Sequence, residues 1–375
     1  MRITLPAYVC KQAFKVCKLP LKGVTKTLEV LGYVKVSVDA DGYAFYANNL
    51  EMNVSYYPGL SYTGETVGEM LIPLELLDVI GDGYVTFADD GNELIRDYLG
   101  TVQAHKIDPN DYPVGSAKVD KLVAWFSANQ MKDLTSLIPF CSKDESRPTA
   151  CAARLLGKDG FIRFDATDGY KLAMVDSASC RDYQDEQLVP LPVLQKLKGL
   201  LTTVKPNKVG WAVQTIVKDA IHRAEPYGSF YMEYAGGEIE LGYTAIQGKF
   251  PNTDAIRDSV HPTGTEYAEI ETDKLRLYVD AAVKSKQEHV PLMFHDGKMS
   301  FGDAEQPFPL TFKEIPLNFT AHFNPVYLQA CLSLFNGHCQ FHSVARNQPA
   351  TFKDDGREVI LMPMNIPDYT GIVVS

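Results

Sequence analysis

Short stretches rich in β-branched and aromatic residues recur along the chain, separated by Asp-Gly pairs. Asp41-Gly42, Asp90-Gly91, Asp159-Gly160 and Asp296-Gly297 each sit between two such stretches. An Asp-Gly pair in that setting predicts a two-residue hairpin, because glycine accepts the positive φ that the turn demands. Gly236-Gly237 and Arg346-Asn347 predict two further turns. The segments that begin at Asp41, Asp159 and Asp296 read alike beyond the turn, as DGYAFY, DGFIRF and DGKMSF.

A stretch with helical spacing precedes each hairpin, over residues 7–18, 73–80, 119–134, 192–204, 273–286 and 325–335. In the first, Cys10, Phe14 and Cys17 fall at i, i+4 and i+7 and predict a buried stripe. Lys11, Lys15 and Lys18 follow the same spacing on an adjoining exposed face. The fourth places Leu194, Leu197, Leu201 and Val204 inward, with Lys196 and Lys198 outside. The fifth places Leu275, Val279 and Ala282 inward, and Lys274, Arg276, Lys284 and Lys286 largely outward. The second carries Glu75 and Asp78, so the basic surface is not continuous. Pro73, Pro192 and Pro325 open three of the helices, where a missing N–H costs nothing, and Asn324 is a good N-cap.

Paired turns divide the chain into three repeats. They lie 49 residues apart in the first (41 to 90), 50 in the third (296 to 346) and 77 in the second (159 to 236). The excess falls at residues 205–228, read as an insertion or a longer hairpin. Proline-bearing segments at 108–113, 248–251 and 362–364 close the repeats. The expected fold class is α+β: three repeated domains, 1–117, 118–257 and 258–375, each with two helices packed on antiparallel sheets.

Charge sharpens this picture. The net charge of −11 argues against nucleic-acid binding as a bulk property. Its distribution is uneven, however: Lys11, Lys15, Lys18, Lys22 and Lys26 lie in an acid-free stretch, and so do Lys196, Lys198, Lys205, Lys208 and Lys218. Solvated helix faces explain one such stretch; two at comparable places in a repeat indicate a sided charge distribution. Apolar residues at 45% and charged residues at 22% fit a globular chain, and no apolar run is long enough for a bilayer. Seven cysteines without paired spacing, and a start without secretory layout, give a cytoplasmic expectation with no membrane.

Enzyme signatures are missing. There is no phosphate loop, dinucleotide fingerprint, nucleophile elbow or zinc-protease motif. His338, Cys339 and His342 would alternate across a strand, which is poor geometry for a metal. Asp165 and Asp168 are the one carboxylate pair that a nuclease reading would use, although a turn explains Asp168-Gly169 more simply. The expectation is a non-enzymatic chain with no catalytic residue, metal or cofactor.

The segment Ala166-Thr167-Asp168-Gly169-Tyr170-Lys171-Leu172-Ala173 resembles the signature of the bacterial DNA polymerase III beta sliding clamp family. Asn49-Leu50-Glu51-Met52 resembles its first-domain counterpart. Gly248-Lys249-Phe250-Pro251, Phe323-Asn324 with Tyr327-Leu328, and Leu361-Met362-Pro363-Met364 follow in the family's order. The resemblance implies a head-to-tail homodimeric ring around duplex DNA, gripped without sequence preference by Lys11, Lys15, Lys18, Lys22, Lys26, Lys196, Lys198, Lys274 and Arg276. Its ring interface would include Val102, Ala104, Val283 and Lys284. It also implies an apolar pocket that receives linear motifs of a DNA polymerase, a clamp-loader ATPase and other clamp-binding proteins. Carried over by motif, the pocket residues are Thr167, Gly169, Tyr170, Lys171, Leu172, Pro251, Ile256, Ile360, Met362, Pro363 and Met364. Ala150, Ala255, Asn365 and Lys284 depart from the family pattern, which implies a roomier, less basic pocket and a charged group near the ring interface. The tail 367–375 runs past the usual end and is expected to lie on the pocket. The alternatives are a clamp homologue that binds partners without encircling DNA and a carboxylate nuclease.

Overall fold

The computed structural model describes the chain outside residues 1, 22–27, 40–41, 60–66, 79–80, 89–94, 98–99, 103–106, 114–121, 181, 218–223, 261–267, 296–297, 302–303, 310–318, 344 and 367–375. In chain order the first elements are β1 (Arg2–Pro6), α1 (Ala7–Leu21), β2 (Tyr33–Asp39), β3 (Gly42–Asn48), β4 (Met52–Tyr57) and β5 (Gly68–Pro73). Next come β6 (Tyr84–Ala88), β7 (Ile95–Asp97), β8 (Gly100–Val102), β9 (Leu122–Ser127) and α2 (Ala128–Ser136). The middle holds β10 (Ala152–Lys158), β11 (Phe161–Thr167), β12 (Lys171–Ser179), β13 (Glu186–Pro190), α3 (Leu191–Val204), β14 (Lys208–Val217), β15 (Ala224–Tyr234) and β16 (Gly237–Thr244). After α4 (Thr253–Val260) follow β17 (Ala268–Glu271), α5 (Thr272–Lys284), β18 (Val290–His295), β19 (Lys298–Phe301) and β20 (Ala304–Pro309). The last elements are β21 (Phe319–Phe323), α6 (Pro325–Leu332), β22 (His338–His342), β23 (Ala350–Asp354) and β24 (Arg357–Leu361).

These elements form two compact units, Met1–Lys132 with Pro192–Ala245, and Asp133–Leu191 with Ile246–Ser375. The first holds an eight-stranded antiparallel sheet, β5-β2-β3-β4-β16-β15-β14-β9, and a four-stranded one, β1-β6-β7-β8. The second has the same layout, β13-β10-β11-β12-β24-β23-β22-β17 with β20-β19-β18-β21. In the first unit α1 packs on β3 and β4, sealing Val9, Cys10, Ala13, Val16 and Cys17 against Phe45 and Tyr56. In the second, α5 packs on α6, and α6 on β12 and β24.

The hairpin reading holds best at Asp159-Gly160. Lys158 pairs with Phe161 across it, with φ of +52° and +84° at the turn residues. Asp39 pairs with Gly42 and His295 with Lys298, although Asp41 and Asp296-Gly297 themselves lie outside the described residues, as does Asp90-Gly91. The fifth turn is Ala235-Gly236, one residue earlier than expected, because Tyr234 pairs with Gly237. Arg346-Asn347 lies in the longer loop from β22 to β23, while the tight turn there is Asp355-Gly356. The excess in the middle repeat is a long hairpin: β14 and β15 pair from Lys208–Glu233 to Val217–Ala224.

Two helix expectations need correction. Residues 73–80 form only a 3-10 turn, Leu74–Leu77, among the described residues. Residues 119–134 are not one helix: β9 occupies Leu122–Ser127, with Ala124 and Phe126 buried and Leu122 and Trp125 exposed. The helix starts after Ser127, where Ser127 N–H donates to Gln130 Oε1 (2.7 Å) and Gln130 N–H donates to Ser127 Oγ (3.3 Å), a capping box. No described helix is long and apolar enough to cross a membrane.

Candidate functional site

The second unit brings three distant stretches to one place. The first is the turn from β11 to β12. Asp168 Oδ1 accepts N–H bonds from Tyr170 and Lys171, both 3.0 Å, and Thr167 Oγ1 donates to Lys171 O at 2.9 Å. The chain then passes through Gly169 at φ +92°, a conformation that side chains with a Cβ rarely adopt. Lys171 is buried, ion-paired to Asp168 and set 4.1 Å from the Tyr327 ring centroid. Its charge is therefore spent inside the turn rather than offered to a ligand. Tyr170 is 58% exposed and stacks on Tyr327 at 5.9 Å.

The second stretch is the chain end. Leu172 lies opposite Ile360 on β24, and the two bury with Met174 as one apolar cluster. Beyond β24, Met362 N–H donates to Tyr170 O (2.9 Å) and Met364 N–H to His322 O (2.7 Å), which leaves Met362 42% exposed. Pro363 and Met364 are half-buried.

The third is α4, which the helical spacing did not reveal. Asn252 starts it, accepting the Ala255 N–H on its side chain (3.1 Å) and the Ile256 N–H on its carbonyl (3.1 Å). Val260 packs on the Leu172–Met174–Ile360 cluster, and Ile256, one turn earlier, is partly exposed. Pro251 is half-buried just before the helix, beside the buried Phe250. Ala150 is buried, and Ala255 and Asn365 are exposed. The result is an apolar patch with Tyr170, Ile256 and Met362 at its surface.

Buried charge holds α4 to the sheet. Asp165 is fully buried and accepts from Arg163 Nε (2.9 Å), Arg163 Nη2 (3.0 Å), Arg154 Nε (3.2 Å), Arg154 Nη2 and the Thr253 hydroxyl (2.9 Å). Asp254 in turn accepts from Arg163 Nη1 (2.8 Å) and Lys158 Nζ (2.7 Å). Burial raises the Asp254 carboxyl, but these two cations outweigh it and hold the group well below the usual carboxylate range. A carboxylate so fully used as Asp165 is no base or metal ligand, and Asp168 serves the turn, so the pair is not a nuclease site. Among the described residues no group of three or more His, Cys, Asp or Glu is placed to hold a metal.

The first unit repeats the turn without the patch. Asn49 Oδ1 accepts from the Glu51 and Met52 N–H groups (3.1 and 2.8 Å), and Leu50 takes φ +76°, as Gly169 does. Asn53 stands where Leu172 does, opposite Gly242 instead of Ile360. Tyr227 donates to Asn53 Oδ1 (3.1 Å), and its hydroxyl would lie 1.6 Å from a Cβ at Gly242. A polar pair fills the corresponding slot.

The basic residues are more varied than their helix faces suggest. Lys15, Lys18 and Lys198 are exposed, and Lys196 is half-buried on α3. Lys11 pairs with Asp82 (3.0 Å) and Lys274 with Glu271 (3.4 Å). Arg276 donates to the Leu332 (2.9 Å) and Phe335 carbonyls and so closes the end of α6. Val283 is half-buried and Lys284 exposed at the end of α5. Lys22, Lys26, Ala104, the Val102 side chain and the tail 367–375 lie outside the described residues.

No protein-family model matches the sequence, and no curated protein matches it. Solved structures do match in fold. A DNA polymerase sliding clamp from Pseudomonas aeruginosa superimposes with a TM-score of 0.80 at 17% identity, over 98% of this chain and 100% of that chain. A sliding clamp from Bartonella birtlesii, bound to griselimycin, gives 0.79 at 19% identity over 98% and 100%. The beta subunit of DNA polymerase III from Thermotoga maritima gives 0.75 at 14% over 97% and 99%. The chain has the fold of these sliding clamps along nearly its whole length.

Proposed function

We propose that this chain is a sliding clamp, a non-enzymatic protein that closes with a second copy around duplex DNA and tethers a DNA polymerase to it. The observation that carries this reading is the convergence of residues 167–172, 256–260 and 360–364 into one partly exposed apolar patch, in a chain with the clamp fold. Methionine at the rim suits linear segments of varied sequence, since its flexible thioether chain adapts to different apolar side chains. In this reading the three domains are 1–117, 118–257 and 258–375, the polymerase and a clamp-loader ATPase compete for the patch, and Lys15, Lys18 and Lys198 touch phosphates loosely. Such contacts carry no sequence information and weaken with salt, which permits sliding.

The test is topological. A species of twice 41.7 kDa, loaded on nicked circular DNA and released when that DNA is linearised, is the expected result. A monomer indifferent to DNA topology refutes the ring. The second reading, a clamp homologue that binds partners without encircling DNA, draws on α5, where Lys274 and Arg276 are occupied by Glu271, Asp273 and backbone carbonyls. It expects partner binding at the patch with no DNA retention.

A further inference from the structure

The eight-stranded sheet of the first unit carries an open groove of about 700 Å³ on one face. The pleat sends aromatic rings and carboxylates to that face together. Tyr57 lies opposite Glu238, Tyr231 opposite Glu240, and Glu233 opposite Glu238. Tyr46 meets Tyr57 edge to face, with centroids 6.3 Å apart. Two carboxylates facing each other on neighbouring strands repel, which is costly unless a cation sits between or beside them. Ring faces add electron density of the same sign. An anionic ligand, phosphate backbone included, is disfavoured here.

The groove already shows how it handles a cation. Lys208, opposite Glu233 on β14, sets its Nζ 4.1 Å from the Trp125 ring centroid and 3.2 Å from the Glu233 carboxylate. The groove runs from Ser37 and Asp39 on β2 to Leu122 and Trp125 on β9, across six strand spacings, about 29 Å, the length of about nine extended residues. We propose that this groove is a second docking surface, which takes the arginine or lysine side chains of an extended, basic segment of a protein partner. It is separate from the apolar patch and does not depend on ring closure.

Tryptophan fluorescence reads the groove directly. The sequence has two tryptophans, of which Trp125 is 42% exposed in the groove and Trp211 is buried. The full chain is titrated with the peptide acetyl-Gly-Arg-Gly-Arg-Gly-amide and with its citrulline counterpart, which has the same shape and no charge. A saturable change with the arginine peptide is expected, absent with citrulline and absent in Trp125→Phe. Glu238→Gln and Tyr57→Ala each raise the dissociation constant at least about threefold, the range of an exposed ion pair or cation–π contact. Met362→Asp, in the other unit, leaves it unchanged. An equal response to citrulline, no saturable change with the arginine peptide, or an affinity that Glu238→Gln does not move overturns the proposal. Glu238 is exposed, so that variant tests charge without endangering the fold.

Discussion

Asp165→Asn is the most informative single change in the second unit. It keeps the volume of a fully buried side chain and removes the charge that Arg154 and Arg163 share. Breaking a buried ion pair from one side costs about 3–5 kcal/mol, because the remaining charge stays desolvated and unpaired. Asparagine still accepts a hydrogen bond, and Glu186 and Asp254 still hold one guanidinium each, so the loss falls at the low end, about 3 kcal/mol. The damage is local, since Thr253 and Asp254 anchor the first turn of α4 to these same arginines. Amides of β10, β11, β12 and α4 should therefore exchange with deuterium about a hundredfold faster, the equivalent of about 3 kcal/mol. Those of β14, β15 and β16 should not change. Hydrogen exchange with peptide-level mass spectrometry resolves the two groups. Acceleration below about threefold in α4, or the same acceleration in both groups, refutes the assignment of Asp165 as the anchor of this helix.

Three further outcomes follow from the burial and exposure of particular groups. Burial raises the carboxyls of Asp176, Asp354 and Glu358 above their ordinary 3.8 and 4.5, so their ionised forms oppose folding and stability climbs as they protonate. Asp254 is held low instead, so its contribution is present above the ordinary 3.8 and lost as the pH falls through its folded value. The urea midpoint should be higher at about pH 5 than at neutral pH and fall below about pH 4, with Asp176→Asn flattening the rise. Met362→Asp should weaken binding of a polymerase-derived linear peptide about tenfold or more, by fluorescence anisotropy, through about 2 kcal/mol of lost apolar contact. Its unfolding midpoint should stay within the range of a surface change. Iodoacetamide should label the half-buried Cys151 and Cys180 before the other five cysteines, read by mass spectrometry, because burial seals those five and pushes Cys10, Cys141 and Cys339 up to about 12.

Much of the fold was legible because local chemistry repeats. Asp159-Gly160 fixes a two-residue turn, and the register from it puts Arg154 opposite Asp165. The ion network was therefore within reach of the sequence, but Asp165 drew notice only as an acid. The buried stripe of α1 includes Cys10 and Cys17 as expected, while Phe14 is half-buried under Lys18 Nζ, 4.5 Å from its ring. Leu200 rather than Leu201 is sealed on α3, where it lines up with the buried Val193, Leu197 and Val204. The misread stretch before α2 has apolar residues spaced for either a helix or a strand, and the deciding signal was the Ser127–Gln130 capping box. Helix α4 went unseen because eight residues carry too little periodicity, and its stability comes from tertiary ion pairs. The candidate site residues were carried over by motif; that Lys171 is locked within the turn is a matter of contacts, which no motif carries.

The polar plug of Tyr227 and Asn53 in the first unit has a consequence for valency. Two turns of the same construction, one in each unit, leave a single apolar seat per chain among the described residues. If the patch docks linear segments as proposed, a partner that uses it alone saturates at one copy per chain, and two partners that both need it displace each other. Exchange between them is governed by relative affinity and local concentration. Opening the plugged slot, rather than widening the existing patch, would be the route to a chain with two apolar seats.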